Sequence, residues 1–109
     1  MSPALAWLAL IVAGLFDVGW AIAMKYADGY TRPGWSLVSL LLLAAFVFLL
    51  GRALQVLEVG TAYAVWTGIG AAGTLLMGML LFGETLSPMK IAGIALVLAG
   101  IATLKLASA

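Results

Sequence analysis

An all-α bundle of four membrane-spanning helices is the fold class the sequence predicts, and three observations predict it. Of 109 residues, 66% are hydrophobic and only 8% are charged, too few polar groups to cover a soluble domain. The mean hydropathy is +1.26, so the natural solvent of most of the chain is lipid. The apolar residues gather into four runs, each near the ~20 residues a helix needs to cross a ~30 Å hydrocarbon core. Runs such as LVSLLLLAAFVFLL lack the alternation of apolar and polar residues that a membrane β-barrel strand requires.

The first run covers residues 4–24 and is apolar apart from Asp17. KYADGYTRPGW follows, with Asp28-Gly29 and Pro33-Gly34 as turn formers. The second run, 35–52, ends at Arg52, and a short polar interval holds Gln55 and Glu58. The third, 59–82, carries no charge and is closed by GETLSP. The fourth, 88–106, has Lys90 and Lys105 near its ends, where long side chains reach the interface. Four crossings use nearly the whole chain, so a single transmembrane domain over 1–109 is expected. Met1-Ser2-Pro3 carries no side-chain charge and more membrane-like sequence follows, so a cleavable signal peptide is not expected.

The net charge of +1 offers no basic field for nucleic acid. Cys and His are absent, which removes disulfides, thiolate chemistry and the commonest metal ligands. No catalytic, metal or cofactor site is therefore expected. Four crossings put both termini on one side with Arg52 and Lys105, and Lys25, Arg32 and Lys90 on the other. Two against three is almost no bias under the positive-inside rule. Either five charges are too few to orient the chain, or it inserts both ways.

Asp17 lies near the middle of span one, where a charged Asp costs ~2.5–3.5 kcal/mol on insertion scales, so its default meaning is functional. A carboxyl at that depth can take a proton on one side of the membrane, release it on the other, and exchange it for a cation. The structural alternative is a neutral Asp bonded to another helix. Leu10, Gly14, Asp17, Ala21 and Met24 follow one helical stripe, with Trp20 alongside. Gly14 leaves space one turn before the carboxylate, and Trp20 brings a π face that attracts cations.

Span three reads GTAYAVWTGIGAAGTLLMG, with Tyr63, Trp66 and Gly70 on one face and hydroxyls at Thr67 and Thr74. Tyr63 is either the partner of a carboxylate across the bundle or an interfacial aromatic. Gly68, Gly70 and Gly73 admit either a close neighbour or a bend, and a bend at Gly68 and Gly70 would serve as a hinge. In span four, Gly93 and Gly100 are seven apart, with Ala92 and Ala99 beside them. Such a small-residue stripe suits an assembly surface. Four short helices enclose little volume, and a dimer would bring two copies of Asp17 together.

These residues resemble the small multidrug resistance transporter family over nearly the whole chain. The resemblance is carried by the acid within AGLFDVGWAIAMKYADGYTR, by GTAYAVWTGIGA, and by the small-residue heptad of span four. WTGIGA and the Trp three residues after the acid resemble the guanidinium-exporting branch more than the polyaromatic-drug branch. The resemblance implies an antiparallel homodimer of dual-topology subunits in a bacterial inner membrane. It further implies exchange of protons for a small organic cation, guanidinium or a small substituted guanidinium, without a cofactor. Asp17 would bind proton and cation, and Gly14, Trp20, Tyr63 and Trp66 would line the site. Phe46 of span two falls near the site, where that branch tends to carry a hydroxyl residue. Asp17 itself stands where the family almost always has Glu, and Glu58 where many relatives have Pro. Some family members work as pairs of unlike subunits. The alternative expectation is therefore a quaternary ammonium or multidrug exporter, alone or as one subunit of a heterodimer. The rival from another class is a membrane assembly subunit that transports nothing.

Overall fold

The computed structural model describes residues 2–107. They form α1 (Pro3–Tyr26), α2 (Pro33–Ala53), α3 (Val59–Phe82) and α4 (Pro88–Ala107). Each helix is long and apolar enough to cross a membrane, and no strand occurs among the described residues. The chain is an all-α, multi-pass membrane protein, as its four apolar runs predict.

The helix ends follow from the sequence. Pro3, Pro33 and Pro88 open α1, α2 and α4, where a missing N–H removes a donor that has no helical partner anyway. Ser2 Oγ accepts from Leu5 N at 3.2 Å, and Ser87 Oγ accepts from Lys90 N at 3.2 Å, each satisfying an orphan donor. Helix α3 stops at Gly83, whose φ of 66° is left-handed. There Gly83 N donates back to Gly78 O, and Glu84 N does so at 3.3 Å, which satisfies a carbonyl left open at the helix end. At the end of α2, Leu54 N donates to Leu50 O at 3.0 Å. Helical bonding thus runs past Arg52, placing its cation in the last turn, where the helix dipole favours it.

The α1–α2 turn holds three successive left-handed residues, Asp28 (φ 50°), Gly29 (φ 70°) and Tyr30 (φ 65°). Gly adopts this conformation freely and Asp tolerates it, but Tyr does so at a cost. Two contacts hold it. Thr31 Oγ1 donates to Asp28 O at 2.7 Å, and the Tyr30 hydroxyl shares a 3.0 Å hydrogen bond with Ser39 Oγ, which is wholly buried.

Helix α1 is the centre of the arrangement. Helix α2 packs on one flank and α3 on another, α2 and α3 barely meet, and α4 rests chiefly on α3. The envelope is 43 × 34 × 17 Å, so its thin dimension is under two helix diameters of ~10 Å. A slab of this shape cannot enclose a substrate alone. The core is small, built on Ala9, Leu10, Ala53, Ala62 and Val65; its alanines let helix backbones approach closely. Large apolar side chains such as Leu40, Leu41, Phe48 and Leu96 face outward, as lipid contact requires.

At the end of the slab away from the N-terminus, Lys25 Nζ pairs with Glu84 at 3.2 Å and lies 4.4 Å from the Phe82 ring centroid. Tyr26 stacks on Trp35 at 4.7 Å and meets Phe82 at 5.1 Å. These contacts tie the end of α1 to the start of α2 and to the α3–α4 loop.

Candidate cation site

The depth of Asp17 is fixed by a seam of side chains and glycines between α1 and α3. Ile69 of α3 fills the space over Gly14, where an added Cβ would stand 2.7 Å from Ile69 Cγ2. Val18 of α1 fills the space over Gly73, at 2.6 Å from a Cβ built there. Between them the Asp17 carboxylate lies against Gly70. A Cβ on Gly70 would collide with Oδ2 and stand 3.2 Å from Cγ. Any larger residue at these glycines would drive the helices apart or move the acid.

The carboxylate is half-buried and makes no hydrogen bond or ion pair among the described residues. The lysines are held elsewhere. Lys25 pairs with Glu84, Lys90 Nζ donates to Thr85 O at 2.8 Å, and Lys105 Nζ lies 4.6 Å from the Trp7 ring. Asp17 is thus a buried-side acceptor with no resident positive partner, which leaves it open to an exogenous proton or cation.

Aromatic rings flank it. Trp20 follows the acid by three residues and its ring lies 5.4 Å from Phe46. Phe46 lies 5.5 Å from Trp66, and Trp66 meets the edge of Tyr63 at 5.5 Å. This chain of rings runs from α1 across α2 to α3. Among the described residues, the indole N–H groups of Trp20 and Trp66 are both buried without an acceptor. One turn along, Val18, Gly19, Leu42 and Gly73 begin an apolar groove of about 500 Å³ that runs to Trp35 and Leu81.

The structure therefore brings Asp17, Trp20, Phe46, Trp66 and Tyr63 into one neighbourhood. Tyr63 is 59% exposed, and its hydroxyl does not bond Asp17 within one chain. Gly14 faces Ile69 rather than open space. Gly68 and Gly70, read from sequence as a close contact or a hinge, both lie in the unbroken helix α3. Gly68 faces Ile101 and Val97 of α4 at 3.0 and 3.1 Å, while Gly70 seats the acid. Thr67 turns away from the site, donating to Tyr63 O at 2.6 Å. A Cβ built on Gly93 or Gly100 would meet nothing within 4 Å among the described residues, and Ile94 is the one buried residue of α4 among those described. Sequence reasoning missed Ile69 and Val18 as the opposing halves of the seam. Its signal was the matched spacing of Gly14 and Asp17 on α1 against Gly70 and Gly73 on α3.

Fold and site together define a class: a four-span membrane protein with an unpaired carboxylate at membrane depth beside aromatic faces, the build of a transport protein. A family model described as Small Multidrug Resistance protein matches residues 5–97, and the chain belongs to that family. It is 52% identical to the "Guanidinium exporter" of Yersinia pseudotuberculosis serotype I (strain IP32953) over 104 residues, 95% of this chain and 100% of the relative. It is 44% identical to the "Guanidinium exporter" of Citrobacter freundii, over 95% of this chain and 99% of that one. The protein of the same name from Escherichia coli (strain K12) is 43% identical, over the same shares. Four membrane helices and such relatives make this a multi-pass protein of a bacterial inner membrane.

Proposed function

We propose that this chain exports guanidinium or small substituted guanidinium cations in exchange for protons, as an antiparallel homodimer, with Asp17 holding proton and cation in turn. The observation that carries this reading is the Asp17 carboxylate, seated on Gly70 with no protein cation beside it among the described residues. The names of the relatives at 43–52% identity support the choice of cation.

Guanidinium is planar and weakly hydrated. Its edge meets a carboxylate through two parallel hydrogen bonds, and its face stacks on aromatic rings. Asp17 supplies the first contact, and Trp20, Trp66 and Tyr63 supply ring surface. One carboxylate cannot bind a proton and form that bidentate pair at once, so the two ligands exclude each other. The flat chain leaves the site open. A second copy, docked through the exposed α4 face around Gly93 and Gly100, closes it and adds a second Asp17. The two-to-three charge balance accommodates subunits inserted in opposite senses.

Purified protein in proteoliposomes tests this. An imposed guanidinium gradient should drive protons the other way, and Asp17→Asn should abolish both fluxes. Proton movement indifferent to guanidinium would refute the reading, and so would pH-dependent transport retained by Asp17→Asn. One observation favours a second reading, export of quaternary ammonium ions: Phe46 extends the aromatic wall, and such cations need no hydrogen-bond acceptor. Tetraethylammonium in the same assay separates the two.

A further inference from the structure

We propose that Phe46 sets the substrate preference of this site, favouring guanidinium cations that carry an apolar substituent over the bare guanidinium ion. This rests on the export reading above and narrows its substrate class.

Phe46 is 3% exposed on a helix that otherwise turns most of its surface outward. It stands between the two indoles, 5.4 Å from one and 5.5 Å from the other. It offers no hydrogen-bonding atom to either. The buried indole N–H groups have no acceptor among the described residues, and the Thr67 hydroxyl, turned away from the site, is committed to Tyr63 O. The wall beside Asp17 is thus mostly ring carbon and N–H donors, with the hydroxyl of the largely exposed Tyr63 as the acceptor besides Asp17.

A bare guanidinium ion carries N–H donors around its whole edge. Asp17, in one copy or two, and the Tyr63 hydroxyl meet part of that edge, and the remaining donors would face rings and other donors. Donors stranded in this way are costly. Replacing one N–H group by an alkyl or aryl substituent removes a stranded donor and adds apolar area for Phe46 to cover. Each methylene so buried is worth about fourfold in affinity. The substituent has somewhere to go. Leu42, one turn from Phe46 on α2, lines the apolar groove of about 500 Å³ with Val18 and Gly73.

The experiment is a binding series of guanidinium, methyl-, ethyl-, butyl- and phenylguanidinium on the purified full-length protein. It is read by quenching of tryptophan fluorescence and repeated as competition in transport. Affinity should climb about fourfold per methylene through the early members. In Phe46→Ser, which trades the ring for a hydroxyl acceptor, the ratio of butylguanidinium to guanidinium affinity should fall about tenfold or more. Phe46→Leu should keep the alkyl trend and lose the preference for phenylguanidinium, and with the parent series it decides the matter if Phe46→Ser does not fold. Bare guanidinium binding the parent as tightly as butylguanidinium would overturn the inference and leave export standing. An unchanged ratio in both variants would do the same. If no member of the series binds the parent, the export reading itself fails, and this inference with it.

Discussion

Gly70→Ala separates the seat of the acid from the stability of the bundle. An alanine Cβ at this position collides with Asp17 Oδ2 and lies 3.2 Å from Cγ and 3.7 Å from Cβ. The carboxylate must retreat by roughly 1 Å to restore van der Waals separation. Overpacking of this kind costs about 1–3 kcal/mol. Alanine in place of glycine in a helix interior returns about 1 kcal/mol. The expected net loss of stability is therefore about 0–2 kcal/mol. The effect on turnover should be larger, because a displacement near 1 Å at a reacting group costs about 100-fold.

The measurement is turnover in proteoliposomes set beside reversible unfolding in mixed micelles. Gly60→Ala is the control, since Gly60 is in the same helix with nothing within 4 Å of its Cβ position. It should leave both quantities near the parent's. Gly68→Ala is the comparison, because its Cβ meets the ends of Ile101 and Val97 on α4, away from the acid. It should cost stability while largely sparing turnover. Parental turnover in Gly70→Ala, or a loss in Gly68→Ala as deep as in Gly70→Ala, would refute the seat.

Three further outcomes are expected. Asp17→Glu should retain exchange while Asp17→Asn loses it, since only the acid alternates between charge states; proteoliposome flux at two pH values checks this. Guanidinium affinity should fall as pH is lowered through the apparent pKa of the Asp17 pair, because proton and cation compete. By linkage, cation binding should then release protons, read by calorimetry in buffers of different ionisation enthalpy, and the value belongs to the pair if the two carboxyls couple. Tyr30→Phe should cost about 1–3 kcal/mol by stranding the buried Ser39 hydroxyl, with parental transport per folded molecule; chemical unfolding beside flux checks both halves.

The four helices were legible because each apolar run has the length of a crossing and ends in turn residues or charge. Asp17 was legible because an ionisable group at that depth has no cheap structural excuse. The roles of the glycines were not. Gly68 and Gly70 are two residues apart, about 200° around a helix, so they face opposite neighbours, and only the register of α1 and α4 against α3 says which. The left-handed Tyr30 was equally hidden. Asp28-Gly29 announces a turn, but nothing in a tyrosine predicts positive φ, which here follows from the reach to buried Ser39. By composition Phe46 is one more apolar residue of α2; the family resemblance singles it out near the site, and the two rings it meets across helix boundaries give the physical reason.

Coupling between proton and cation, under the proposed exchange, follows from scarcity rather than from a dedicated relay. The other acidic residues lie at the ends of the slab. Asp28 sits in the α1–α2 turn, Glu58 directly precedes α3, and Glu84 is already paired with Lys25. None can receive a proton displaced from Asp17 at membrane depth. The neighbouring indoles only donate, and Phe46 does neither. Tyr63 adds only a phenol hydroxyl, so the one kind of carboxyl a cation meets in this wall is that of Asp17, already claimed by a proton that it must evict. With no base outside the Asp17 pair to catch that proton, it leaves to the side from which the cation came. A basic group or a further carboxylate beside Phe46, outside that pair, would break this logic, giving the proton or the cation another place to rest and letting either cross without the other.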